Sequence, residues 1–170
     1  MRTGILYCNL GTPDQPTAAA LRPYLREFLS DPRVVEIPRG AWLPLLYGVI
    51  LPLRAPKSAA KYASIWTPDG SPLKVWTERQ AKRLQGWLGE RGHSVAVRYA
   101  MRYGKPSIAS QLDALVAAGA ERILVLPAYP QYSCTSTASV IDAVSAWTAK
   151  VRALPELRFV NSYHSDEGYV

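Results

Sequence analysis

Four short apolar runs alternate along this sequence with longer segments whose apolar residues recur every three to four positions. The runs cover residues 4–9, 94–103, 122–127 and 157–161. Runs of this length, bounded by Gly, Pro or Asn, read as strands, those at 4–9 and 122–127 as buried ones. The segments between them read as helices. Residues 17–30 put Leu21, Leu25 and Phe28/Leu29 on one face, with Pro23 implying an early kink and Asp31-Pro32 a stop. Residues 76–91 place Trp76, Leu84 and Trp87/Leu88 inward. Pro106-Ser107 caps a helix bearing Ile108, Leu112 and Leu115/Val116 that Gly119 ends, and 133–154 repeats Val140, Val144, Trp147 and Val151. No hairpin signal joins the strands. The alternation therefore predicts an α/β fold, a four-stranded parallel sheet flanked by helices with right-handed crossovers.

Length and charge narrow the functional classes. A chain of 170 residues can bury a core of its own, and 48% hydrophobic residues with 19% charged exclude a disordered spacer. Two cysteines cannot build a disulfide framework, and no signal-peptide pattern opens the sequence, so the cytoplasm is the expected compartment. The net charge of +7 favours anionic partners. Its basic residues are scattered over helix faces, and no nucleic-acid motif is present, so no nucleic-acid partner is expected. No phosphate-binding Gly loop and no GxSxG elbow occurs, and His93 and His164 stand without partners at fixed spacing.

Residues 40–54 are apolar on all sides, interrupted by Pro44, Gly48 and Pro52. A membrane span needs about 20 apolar residues, so the segment is too short. It reads either as a hydrophobic loop packed on the core or as an apolar lip over a ligand or bilayer surface.

Ligands of parallel sheets bind outside the carboxyl ends of the strands. Those ends are Asn9-Leu10-Gly11-Thr12-Pro13, Met101-Arg102-Tyr103-Gly104 and Ala128-Tyr129-Pro130-Gln131-Tyr132-Ser133. The edge offers aromatic rings, hydroxyls, the Arg102 guanidinium and the Cys134 thiol. The run Ser133-Cys134-Thr135-Ser136-Thr137 opens a helix, as an anion-facing terminus or as a set of redundant N-caps.

With Gly70-Ser71-Pro72-Leu73 added, these segments stand in the order seen in ferrochelatases, and the chain resembles the N-terminal half of a bacterial member. The resemblance implies one Rossmann-like lobe of a two-lobe family: residues 1–155 as the lobe, with the apolar lip at 40–54, and 156–170 as the last strand and the start of a connection to a second lobe. It implies insertion of Fe²⁺, a substrate, into protoporphyrin IX to give protoheme. By motif it assigns porphyrin contacts to Leu10, Arg54, Tyr62, Ser71, Arg102, Tyr103, Tyr129 and Thr135, with Arg102 either holding a carboxylate or bracing loops. The essential histidine and its glutamate partner are expected in the second lobe, so no catalytic residue is assigned here and the isolated chain is expected to be inactive. Cys134 matches a position that ligates a [2Fe–2S] cluster in some members; with only Cys8 besides, a cluster is expected only in a longer form. The resemblance also implies peripheral contact of residues 41–53 with the inner face of the membrane. A stand-alone tetrapyrrole-binding module, or a chelatase for cobalt or coproporphyrin, are the alternatives.

Overall fold

The computed structural model describes residues 2–170. Its elements run β1 (Thr3–Thr12), α1 (Ala18–Leu29), α2 (Arg39–Leu45), a π-helical turn (Leu46–Ile50), α3 (Leu51–Ile65), α4 (Pro72–Glu90), β2 (Val95–Gly104), α5 (Ile108–Ala117), β3 (Arg122–Pro127), a second π-helical turn (Cys134–Ala138), α6 (Ser139–Thr148) and β4 (Glu156–Phe159). The chain divides into two compact units. One holds the residues up to Leu10, Thr77–Arg102 and Pro106–Val170; the other holds Gly11–Trp76 and Tyr103–Lys105.

The strand order is β2-β1-β3-β4. β1 lies parallel to β3 from Thr3 opposite Arg122 to Cys8 opposite Pro127, and β3 lies parallel to β4 from Arg122 opposite Glu156 to Val125 opposite Phe159. Each pairing joins strands separated by a helical crossover, which parallel strands require. The four-stranded α/β sheet expected from the alternation is the one observed.

In the first unit Leu6 and Val125 from the strands meet Leu112 and Leu115 of α5 and Val140 and Val144 of α6. Each is essentially fully buried, worth about 1.5–3 kcal/mol per side chain on the usual area scale. Trp147 joins them, and its indole N–H donates to Asp113 Oδ1 at 2.8 Å, so the one polar atom it carries inward has a partner. In the second unit Leu21, Leu25 and Leu29 of α1 are buried, as their spacing predicts, and α1 runs through Pro23. Thr17 caps it, accepting the Ala20 N–H at 3.3 Å.

Three readings change. First, residues 40–54 are helical rather than a loop. Pro52 falls in the first turn of α3, and just before it the helix widens so that the Leu51 N–H donates to the Leu46 carbonyl. Leu46 is fully buried, and the Trp42 indole donates to the Leu29 carbonyl at 2.7 Å, pinning the segment to the end of α1. Second, Trp76 and Trp87 are half-exposed. The packed stripe of α4 is Thr77, Ala81, Leu84 and Leu88, and the tryptophans stand one position, about 100°, off it. The Arg91 guanidinium covers the Trp87 ring instead, 3.5 Å from its centroid. Third, the segment after Ser133 begins as a π-helical turn and becomes α-helical at Ser139, and α6 ends at Thr148, short of Val151.

Candidate functional site

In the first unit the Ala128 N–H donates to the Cys8 carbonyl at 2.7 Å, directly after the last paired residues of β1 and β3. Leu10 and Tyr129 therefore sit at the same end of neighbouring strands. Leu10 is half-buried, and its N–H donates to Asn9 Oδ1 at 2.8 Å while the Asn9 amide donates to Thr77 Oγ1 at 2.9 Å. Asn9 thus fixes the backbone that presents Leu10. Tyr129 is half-buried against the core.

Arg102, near the end of β2, is half-buried, and its Nε donates to both the carbonyl (2.9 Å) and the hydroxyl (2.7 Å) of Ser139. Charge-assisted bonds of this length hold the guanidinium to the first residue of α6. The bracing role that the sequence left open is therefore present. Thr135 is exposed on the turn leading into α6, with Ser133 Oγ and Thr135 Oγ1 3.0 Å apart. Ser133 caps nothing with its side chain; its carbonyl accepts the N–H groups of Ser136 and Ala138. The hydroxyls here are not N-caps.

Past β4, the Tyr163 and His164 N–H groups both donate to the Pro130 carbonyl, at 2.8 and 3.1 Å, which ties this segment to the loop after β3. The His164 side chain is exposed, as is that of His93. Burial, helped by Tyr7 and Tyr169, pushes the Tyr163 phenol up to about 12.

The second unit holds the other strand ends. Gly11 has φ +116°, and a Cβ on it would lie 1.8 Å from the Tyr103 carbonyl oxygen; one on Gly104, φ +91°, would lie 2.6 Å from the Thr12 carbonyl oxygen. Only residues without a Cβ let β1 and β2 end this close together. Tyr103 between them is fully buried, its ring edge-on to Phe28 at 5.0 Å and its hydroxyl donating to Asp31 Oδ2 at 2.7 Å. Asp31 Oδ1 accepts the Arg33 N–H at 2.8 Å. Ser71 is also buried, and Thr12 Oγ1 donates to its hydroxyl at 2.8 Å. The side chains of Tyr103 and Ser71, both assigned by motif to porphyrin contact, are turned into the unit and hold its strand end and the start of α4.

Arg54 and Tyr62 lie on α3, whose buried stripe is Leu51, Ala55 and Ala59. Arg54 is off that stripe and exposed. Tyr62 is half-buried, edge-on to Tyr24 and to Trp66 at 6.3 and 6.4 Å. Asp31 escaped the sequence reading. Before a proline it reads as a helix stop, and its role rests on a partner 72 positions away.

The protein-family model described as Ferrochelatase matches residues 2–170. The chain belongs to the ferrochelatase family. It is 71% identical over 169 residues to a ferrochelatase of Methylibium petroleiphilum, with 99% of this chain and 47% of that protein covered. A Polaromonas ferrochelatase is likewise 71% identical over 168 residues, covering 99% and 46%, and that of Dechloromonas aromatica is 58% identical over 168 residues, covering 99% and 46%. The chain spans about half the length of the curated ferrochelatases it matches, their N-terminal half.

An iron–sulfur cluster needs four protein ligands. Among the described residues no three His, Cys, Asp or Glu side chains gather to hold a metal. Cys8 is fully buried in β1, and burial pushes its thiol far up, away from the thiolate a metal requires. Cys134 is half-buried on its turn. The donors present do not fit a cluster.

Proposed function

We propose that this chain supplies the porphyrin-contacting residues of a ferrochelatase that exchanges the two N–H protons of protoporphyrin IX for Fe²⁺ and yields protoheme. The observation that carries the reading is the family match over residues 2–170, with the quoted strand-end motifs in place within it. A porphyrin is a flat apolar macrocycle with two propionate arms. Its recognition calls for apolar and aromatic surface beside a few cations and hydroxyls. Leu10 and Tyr129 supply the first kind and Thr135 the second at the edge of one unit; Tyr62 and Arg54 supply them on α3 of the other. Arg54 binds a propionate, as an exposed guanidinium suits a carboxylate. Arg102, tied to Ser139, orients the edge and lends it positive charge. Tyr103 and Ser71 act as positioning residues within the second unit.

Removing the pyrrole protons needs a base, which the resemblance places outside these residues. Residues 41–53 rest peripherally on a membrane, where the apolar substrate would partition; among the described residues no helix is long and apolar enough to cross one.

Titrating protoporphyrin IX into the protein, followed by porphyrin fluorescence, tests the contacts. Supplying the C-terminal half of a relative together with Fe²⁺ tests the reaction. The expected results are binding by the chain, no heme from the chain alone, and heme when both halves are present. Absence of porphyrin binding, or robust turnover by the chain alone, refutes the assignment.

A further inference from the structure

A cavity of about 280 Å³ opens in the second unit between α1 and the helical run that follows α2, lined by Arg22, Pro23, Arg26, Tyr47, Leu51 and Pro52. None of the residues assigned to porphyrin lines it. Two guanidiniums four residues apart on α1 share one face of that helix, and no carboxylate lines the space. The neighbouring acidic residue of α1, Glu27, accepts the Gly104 N–H at 3.0 Å instead.

The helical run that walls the cavity also exposes apolar side chains. Leu45, Val49 and Leu53 recur every fourth residue and are about half-exposed or more, as is Tyr47 in the cavity wall. Residues 37–68 carry Arg39, Arg54, Lys57 and Lys61 and not one Asp or Glu. Exposed apolar side chains in a segment whose only charged residues are cationic match the boundary between acyl chains and anionic headgroups.

We propose that the Arg22–Arg26 cavity is a headgroup site for an anionic phospholipid, whose acyl chains lie along Leu45, Val49 and Leu53. The inference rests on the membrane contact proposed above and adds a specific site and lipid charge to it. The guanidiniums take the lipid phosphate, Tyr47 lies at the interface, and the π-helical turn sets the depth at which the segment rests.

Co-sedimentation with phosphatidylcholine vesicles, with and without phosphatidylglycerol, tests it. The protein is expected to bind the phosphatidylglycerol vesicles more tightly, and added salt should weaken that preference. Arg22→Gln/Arg26→Gln should bind them roughly 30-fold more weakly, since each basic residue at an anionic surface is worth about 1 kcal/mol and 1.4 kcal/mol is tenfold. Arg22→Lys/Arg26→Lys should recover most of the loss. Lys150→Gln/Arg152→Gln, which removes exposed charge from the other unit, should keep wild-type binding. Both arginines are exposed, and matching circular dichroism and melting curves would confirm that the variants are folded. If the wild type binds neither vesicle, the membrane contact itself fails. If it binds but the Arg22→Gln/Arg26→Gln variant binds equally well, the contact stands and the headgroup site is overturned. Displacement by millimolar inorganic phosphate would also overturn it, in favour of a free-anion site.

Discussion

Replacing Tyr103 by Phe removes one oxygen atom and separates the two roles this residue could have. Its hydroxyl donates to Asp31 Oδ2 at 2.7 Å inside the second unit, where Tyr103 is fully buried and Asp31 is 6% exposed. A hydrogen bond to a charged acceptor contributes about 1.5–3 kcal/mol. The ring contact with Phe28 survives the substitution. Tyr103→Phe should therefore cost about 2 kcal/mol and lower the melting temperature by about 4–8 °C for a chain of this size. Asp31→Ala should cost about 3 kcal/mol, because the Arg33 N–H loses its acceptor too. The double variant should cost less than the sum by at least about 1 kcal/mol, as expected for partners in contact. Urea unfolding of the four proteins measures the cycle, and porphyrin fluorescence measures binding in the same samples. Strict additivity would refute the buried pair. A large loss of porphyrin affinity in folded Tyr103→Phe would return the residue to the ligand surface.

Gly11→Ala should cost more than about 3 kcal/mol or prevent folding, since its Cβ would fall 1.8 Å from a backbone carbonyl oxygen; Gly86→Ala, in α4 with nothing within 4 Å, should gain about 0.5–1 kcal/mol, and the two together are read by urea midpoints. The Tyr163 phenol is raised from 10.0 to about 12 in the fold, so its neutral form is favoured: its stability contribution is intact below about pH 10 and is lost as pH climbs toward 12. Urea midpoints of the wild type should consequently fall more steeply over that window than those of Tyr163→Phe, and parallel curves would exclude the effect. Arg54→Ala should leave stability within about 0.5 kcal/mol, because the side chain is exposed, while weakening protoporphyrin IX binding roughly tenfold or more; unchanged affinity would remove Arg54 from the propionate contacts.

Much of the architecture was legible because it is written in local periods. The strands at 122–127 and 94–103 fall within a residue of β3 and β2, and Leu21, Leu25 and Leu29 turn inward as their spacing requires. The shared end of β1 and β3 was legible for the same reason, since parallel strands end on one side. Periodicity was weaker where aromatic residues adjoin a stripe of small ones. On α4, Thr77 and Ala81 pack, and the larger Trp76 and Trp87, one position off that stripe, stay half-exposed. Proline misled in a similar way: Pro44, Gly48 and Pro52 look like loop punctuation, yet a π-helical turn absorbs the interruption once Leu46 and Trp42 have burial and a partner to gain.

The sequence by itself determined the alternation of strands and helices and membership of the ferrochelatase family. These depend on residue type and spacing along the chain. The tertiary structure alone decided which motif residues are buried and which are exposed. Tyr103 and Ser71 are consumed by Asp31 and Thr12, partners 72 and 59 positions away, whereas Arg54 and Thr135 are left at the surface. Burial is a property of the neighbours a fold brings together, and spacing within one segment cannot report a neighbour that arrives from another.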